Sequence, residues 1–305
     1  MARAARSHPK GLSSMEVLAC LNGKTMPVEE ARVPVWDRGF LFGDAVYEVF
    51  RMYRGRRWLE AEHLARLRRS LKELDFAAYN FEQLVERMDR LIAASGVREG
   101  TLYVHITRGV APRLHAFPDP PRPPTELIVV RPYDDGPTTQ LRESGARVIT
   151  QPDLRWKRCD IKSTNLLANV LAIEAAHRAG CQEAILFDSK DFVTEAACSS
   201  LLWVRQGRLE GTPEGREILP GMTRQLILRL ARSLEIPFSS AHVKLAELLG
   251  AGEVILVGTT SEVLPVVRID DSTIGTGRPG PVARQLAGAY RQEVEHWLAY
   301  QPQTV

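Results

Sequence analysis

Four short stretches of the 305-residue chain set reactive or charge-bearing groups beside turns and helix starts. CDIKSTN (Cys159–Asn165) carries an amine at Lys162, and DFVTEAACSS (Asp191–Ser200) carries Glu195 at the end of a short strand pattern. GMTRQLILRL opens a helix pattern at Gly221, and GTTSE (Gly258–Glu262) follows the apolar run EVILV. Each has a plain reading when taken alone: lysines mostly sit on surfaces, and strand-end carboxylates are usually solvated. Their company changes that reading. A helix start offers unpaired backbone N–H groups and partial positive charge, which at Met222 and Thr223 suits a phosphate. The hydroxyls of GTTSE, Thr259 among them, could add donors, and Arg66 on an early helix pattern could add a charged fork. An amine nucleophile, a carboxylate for a pyridinium nitrogen and a phosphate cradle are what a pyridoxal 5′-phosphate (PLP) enzyme requires.

Elements must hold these groups in place. Strand patterns cover 17–21, 46–53 and 57–59, with a turn at Arg54-Gly55. Leu64, Leu67 and Leu71 fall at helical spacing within 63–74, and 81–94 has the same habit. Strands at 102–107 and 126–130 flank RGVAPRLHAFPDPPRPP, too rich in proline for regular structure and expected as a loop. PYDDGPTT (132–139) is polar and turn-rich and is expected to link two domains. Beyond it, strands are expected at 147–150, 183–187, 192–195, 200–205, 208–211 and 253–257, with helices at 166–178, 223–234 and 281–299. The pattern predicts an α+β protein of two domains: a smaller one at 15–131 and a larger one at 140–305. Residues 1–14, Arg- and Ala-rich without an acid, are similar in composition to a transit peptide but are expected to be a disordered tail.

Bulk properties exclude several classes. Forty Lys and Arg against 37 Asp and Glu leave a net charge of only +3, with no basic stripe, so no nucleic-acid partner is expected. No apolar run approaches the roughly 18–20 residues that cross a bilayer, so no membrane partner is expected. Cys20, Cys159, Cys181 and Cys198 lack CxxC spacing, which argues against a zinc ribbon or a disulfide framework and favours a reducing, cytoplasmic setting. The histidines show no HExxH-type spacing, so no metal site is expected.

The chain resembles the fold-type IV PLP enzymes, which include branched-chain and D-amino acid aminotransferases and aminodeoxychorismate lyase. Within the class it looks most like the bacterial D-amino acid aminotransferases. The matching stretches are DRGFLFGDAVYEVFRMYRG (37–55), EHLARL (62–67), TRGVAPRLHAFP (107–118), DLRWKRCDIKSTNLL (153–167), GCQEAILFD (180–188), VTEA (193–196), LPGMTR (219–224) and GTTSEVLPV (258–266). They run in family order from about residue 21 to the C-terminus.

The resemblance implies roles for the matched positions. Lys162 would be the Schiff-base lysine, and Glu195 would keep the cofactor's ring nitrogen protonated. Arg66, Met222, Thr223 and Thr259 would hold the phosphate. Tyr47, Arg113 and His115 would trap the substrate carboxylate, the Arg-x-His loop reaching in from a neighbouring subunit, so a homodimer is implied. The implied activity moves the amino group of a D-amino acid, such as D-alanine or D-glutamate, to a 2-oxo acid. An (R)-selective amine transaminase or aminodeoxychorismate lyase of the same fold is the alternative, and a non-catalytic PLP-binding protein a further one. A branched-chain enzyme is disfavoured because GDAVYEV lacks that group's FEG-type stretch, and the intact Lys162 and Glu195 speak against a non-catalytic protein. One departure stands out: Ala196–Ser200 replaces a run of serines ending in asparagine, with Ser at position 200.

Overall fold

The computed structural model describes residues 17–76 and 78–300. The expected tail at 1–14 lies outside the described residues. The first half builds one antiparallel sheet from β1 (Leu18–Leu21), β2 (Lys24–Pro27), β3 (Ala45–Tyr53), β4 (Arg56–Arg57), β5 (Gly100–Thr107) and β6 (Thr125–Pro132), in the order β2-β1-β6-β5-β3-β4. Helix α1 (Arg38–Phe42) precedes β3, and α2 (Glu60–Glu73) and α3 (Phe81–Ser95) lie between β4 and β5. Strand periodicity decides which face meets the helices. Val46, Phe50 and Met52 of β3 and Leu102, Val104 and Ile106 of β5 point to one side, where Leu67 and Leu71 of α2 and Leu84, Met88 and Leu91 of α3 close the core. Glu48 stands on that same apolar face and is completely buried.

The second half holds α4 (Gly136–Ser144), β7 (Ala146–Pro152), α5 (Leu167–Arg178), β8 (Glu183–Phe187), β9 (Val193–Ala196), β10 (Ser200–Arg205), β11 (Arg208–Gly211), α6 (Met222–Ser233), β12 (Phe238–Ser240), α7 (Leu245–Leu248), β13 (Glu253–Gly258), β14 (Glu262–Ile269), β15 (Ser272–Thr273) and α8 (Pro281–Ala299). Its sheet runs β12-β11-β10-β13-β14-β7-β8-β9, with β15 on the side of β14. The β14–β7, β7–β8 and β11–β12 pairs are parallel. Central strands here are apolar at nearly every position because both faces are covered. Leu201, Trp203, Val254 and Leu256 serve one core, while Leu202, Val204, Ile255 and Val257 serve another under α6 and α8. Hairpin turns at Arg54-Gly55 and Gln206-Gly207 have both residues in the left-handed region (φ 51° and 78°; 50° and 74°), the twist-matched geometry that glycine eases.

Several elements go beyond the sequence expectations. The stretch 132–139 contains the end of β6 and the first turn of α4, whose start has proline in its opening positions. β14 was hidden by Pro265. The ladder from β14 to β7 begins one residue later, at Val266, so the proline sits at the margin of that pairing. The segment 153–166, which carries Lys162, returns from β7 to the other sheet and pairs along β3 through a Val46–Ser163 bridge.

Candidate active site

A cavity of about 420 Å³ lies where that returning segment meets β3, β9, the start of α6 and the end of β13. Its volume is within the range of small-molecule sites. Seven of the nine residues singled out from sequence line it: Tyr47, Arg66, Lys162, Glu195, Met222, Thr223 and Thr259. The backbone fixes Lys162 on both sides. The Tyr47 N–H donates to the Lys162 carbonyl at 3.0 Å, and the Lys162 N–H donates to Ser70 Oγ at 3.2 Å. Lys162 Nζ then stands 4.3 Å from the centre of the Tyr47 ring, a cation–π contact that directs the amine.

Glu195, in β9, is buried with a side chain 8% exposed. Arg155 donates to its Oε1, and the Leu219 N–H donates to both carboxylate oxygens at 3.3 and 3.2 Å. Burial pushes the Glu195 carboxyl above the ordinary range, while Arg155 and the Leu219 N–H pull it back down. Nearby, Glu183 of β8 accepts from the Cys198 N–H at 2.5 Å and from Ser199 Oγ at 2.9 Å, pinning the turn where the chain departs from the family run. Burial pushes Glu183 up to about 6.

The opposite end of the cavity suits an anion. Helix α6 has no side-chain cap at its start, so its first N–H groups are open toward the cavity. A side chain on Gly221 would bring its Cβ 2.5 Å from Ser200 Oγ, so glycine here leaves room for that hydroxyl. Arg66 is held by a carboxylate that sequence reading missed. Its Nε and Nη2 donate to Glu48 at 2.7 and 2.9 Å, and Nη1 donates to the Pro220 carbonyl at 2.9 Å. His63 Nδ1 lies 2.8 Å from Glu48 Oε2. The Arg66 and His63 contacts hold the Glu48 carboxyl far below the usual carboxylate range against its burial, while burial pushes His63 down.

Arg113 and His115 are the two sequence candidates that the chain does not bring to this cavity. Both are exposed on the loop after β5, beside Phe42: the Arg113 guanidinium is 5.4 Å and the His115 ring 5.5 Å from that ring's centre. Buried Arg38 holds this loop, donating to the carbonyls of Leu114 (2.6 Å), Ala116 (3.2 Å) and His115 (3.3 Å). Asp44 in turn accepts from Arg38 Nε at 2.8 Å and from Arg108 Nε at 3.0 and 2.8 Å. The DRG, GD and TRG stretches are thus parts of one buried ion cluster.

An amine, a buried carboxylate and an anion cradle around one cavity define an enzyme that handles a phosphorylated pyridine aldehyde. Comparison with known proteins agrees. Residues 45–269 match the family model for amino-transferase class IV. The chain belongs to the class IV aminotransferases. It is 38% identical over 276 residues to a D-alanine aminotransferase of Staphylococcus epidermidis, covering 90% of this chain and 97% of that one. A D-alanine aminotransferase of Listeria monocytogenes is 37% identical over 283 residues, covering 92% and 96%. In fold, the chain is similar to the Escherichia coli branched-chain amino acid aminotransferase (TM-score 0.85, 26% identity, 91% and 94% covered). It is also similar to a T.th. branched-chain amino acid aminotransferase with pyridoxamine 5′-phosphate (TM-score 0.82, 28% identity, 92% and 94% covered). The two-sheet fold is that of the fold-type IV enzymes, and the cofactor is PLP. The residues present fit it: the uncapped start of α6, whose Gly221, Met222 and Thr223 line the cavity, suits the phosphate, and the buried Glu195 suits the ring nitrogen.

Proposed function

We propose that the chain moves the amino group of a D-amino acid, such as D-alanine or D-glutamate, onto a 2-oxo acid, and that it does so as a homodimer. The observation that carries this reading is the placement of Lys162 Nζ on Tyr47 in one cavity with Glu195 and the anion cradle. The D-alanine aminotransferase relatives, alike over nine-tenths of the chain, support the substrate class.

When bound, PLP draws away the electron pair left on the substrate's α-carbon as its proton departs. Lys162 Nζ anchors the cofactor at rest and, released as a free amine, removes that proton and redelivers it. Tyr47 directs the amine through its ring. Glu195, as an anion, holds the proton on the ring nitrogen. Arg66 and the backbone at Met222 and Thr223, with Thr259, hold the phosphate. Arg113 and His115 of a second copy clamp the substrate carboxylate, and a bidentate arginine fixes geometry as well as supplying energy. With the carboxylate pinned there, the α-hydrogen of the D-isomer points at Lys162. Apolar side chains left exposed on three segments support a dimer: Val35, Trp36 and Phe40; Leu114 and Phe117; Leu154 and Leu167.

A panel of D- and L-amino acids and (R)-phenylethylamine, each with 2-oxoglutarate or pyruvate, tests the reading. Turnover should be greatest with D-amino acids. Preferred turnover of L-isomers or of amines would overturn the substrate class, and pyruvate release without an acceptor would point to lyase chemistry.

A further inference from the structure

A second layer of charged groups surrounds the Glu195 carboxylate. A carboxylate this deeply buried is expected to be protonated unless a fixed positive charge or several donors hold it as an anion. The groups facing Glu195 come from every side. Arg155, Asp153 and Cys159 lie on the segment after β7, Glu183 on β8, Cys198 on the turn after β9, and Arg224 on α6. Arg224 is committed elsewhere, donating to the Thr212 carbonyl at 2.8 Å and to Glu214 at 3.2 Å. Asp153 and Glu183 are carboxyl groups and oppose a second negative charge. Arg155 is the cation in contact with Glu195.

Arg155 is itself held in a fixed pose. Its Nε and Nη2 donate to the two oxygens of Asp153 at 2.9 and 2.6 Å, and Nη2 also reaches the Glu217 carbonyl at 3.1 Å. Thr194 Oγ1 donates to Asp153 Oδ2 at 2.7 Å and so fixes the aspartate. The guanidinium fork is therefore spent on Asp153 on one edge and aimed at Glu195 with the remaining nitrogen. A lysine could not serve both carboxylates in that geometry.

We propose that Arg155, braced by Asp153, is a positioning residue that keeps Glu195 an anion and so sets where the proton rests between that carboxylate and the cofactor's ring nitrogen. This rests on the reading of Glu195 as the partner of that nitrogen. Without Arg155 the carboxyl takes up a proton, the ring nitrogen loses its counter-charge, and the pull on the electron pair at the substrate's α-carbon weakens. Because Leu219, whose N–H also binds Glu195, leads directly into Gly221 and α6, the same contacts tie the ring-nitrogen end of the cavity to the phosphate end.

The test uses the holoenzyme loaded with ring-15N PLP. The 15N chemical shift reports protonation of the ring nitrogen, which a merely structural role of Arg155 would not move. In the parent the shift should be that of a protonated ring at neutral pH. In Arg155→Met it should move toward the neutral-pyridine value, with kcat lower by on the order of a hundredfold, the scale for losing one preorganised charge-stabilising donor. Arg155→Lys should recover about tenfold of that loss. Arg155→Gln, which keeps a hydrogen-bond donor but not the charge, should show the same direction, and it decides the matter if Arg155→Met does not fold. A protonated-ring shift and kcat within about threefold of the parent in the variants that fold would overturn the proposal. The shift is read without substrate, so a wrong substrate class would leave this result standing.

Discussion

If the substrate clamp comes from the neighbouring subunit, two defective chains can together make a working site. Arg113 and His115 are exposed and absent from the lining of their own chain's cavity, whereas Lys162 lies inside it. Lys162→Ala removes the amine, and its homodimers should be inactive. Arg113→Ala removes one charge-assisted pair to the substrate carboxylate, worth about 1.5–3 kcal/mol, or roughly ten- to a hundredfold in kcat/KM. In a heterodimer of the two variants one site lacks both groups, while the other combines an intact Lys162 with an intact Arg113. The purified heterodimer should therefore recover about half the parent's activity per dimer. Co-expression with two affinity tags isolates it, and the assay follows D-alanine with 2-oxoglutarate at low substrate. A heterodimer no more active than the mean of its two homodimers would refute the shared site.

Three further outcomes follow from the buried charges and close contacts. Glu48→Gln strips the fully buried partner from Arg66 and should cost about 3–5 kcal/mol of stability in denaturant unfolding, with weaker cofactor retention. Gly221→Ala should raise the dissociation constant for PLP while leaving the fold intact by circular dichroism, since the added Cβ meets Ser200 and disturbs the start of α6. Glu183 has a folded pKa of about 6 against an ordinary 4.5, so the folded state binds more protons and stability falls as pH rises through that window. The difference of about 1.5 corresponds to about 2 kcal/mol, and Glu183→Gln should flatten that slope in unfolding at pH values between about 4.5 and 6.

Seven of the candidate residues meet in one cavity, and the short motifs that carry the family resemblance marked them. Lys162, Glu195, Thr223 and Thr259 each stand beside a turn or helix start that marks them. The groups that tune them were hidden. Glu48 and His63 occupy core-facing positions of β3 and α2, and nothing along the chain shows that a strand and a helix bring Glu48, His63 and Arg66 together. Arg155 pairs with a residue 40 positions away, a contact made only when β9 and the segment after β7 are laid side by side. Helices α2, α3 and α6 were legible through their apolar spacing, α5 through its stop at Gly180, and α8 as a closing helix. α1 is too short to show a period, α4 begins in a Gly-Pro pair that reads as a turn, and β14 contains a proline.

The claim on which the rest depends is a covalent one at Lys162. Reducing the PLP-loaded protein with borohydride, digesting it and sequencing the labelled peptide by mass spectrometry tests it directly. The account predicts one phosphopyridoxyl group, carried by the Nζ of Lys162 within CDIKSTN. A label on another lysine, or full incorporation in Lys162→Ala, would contradict it.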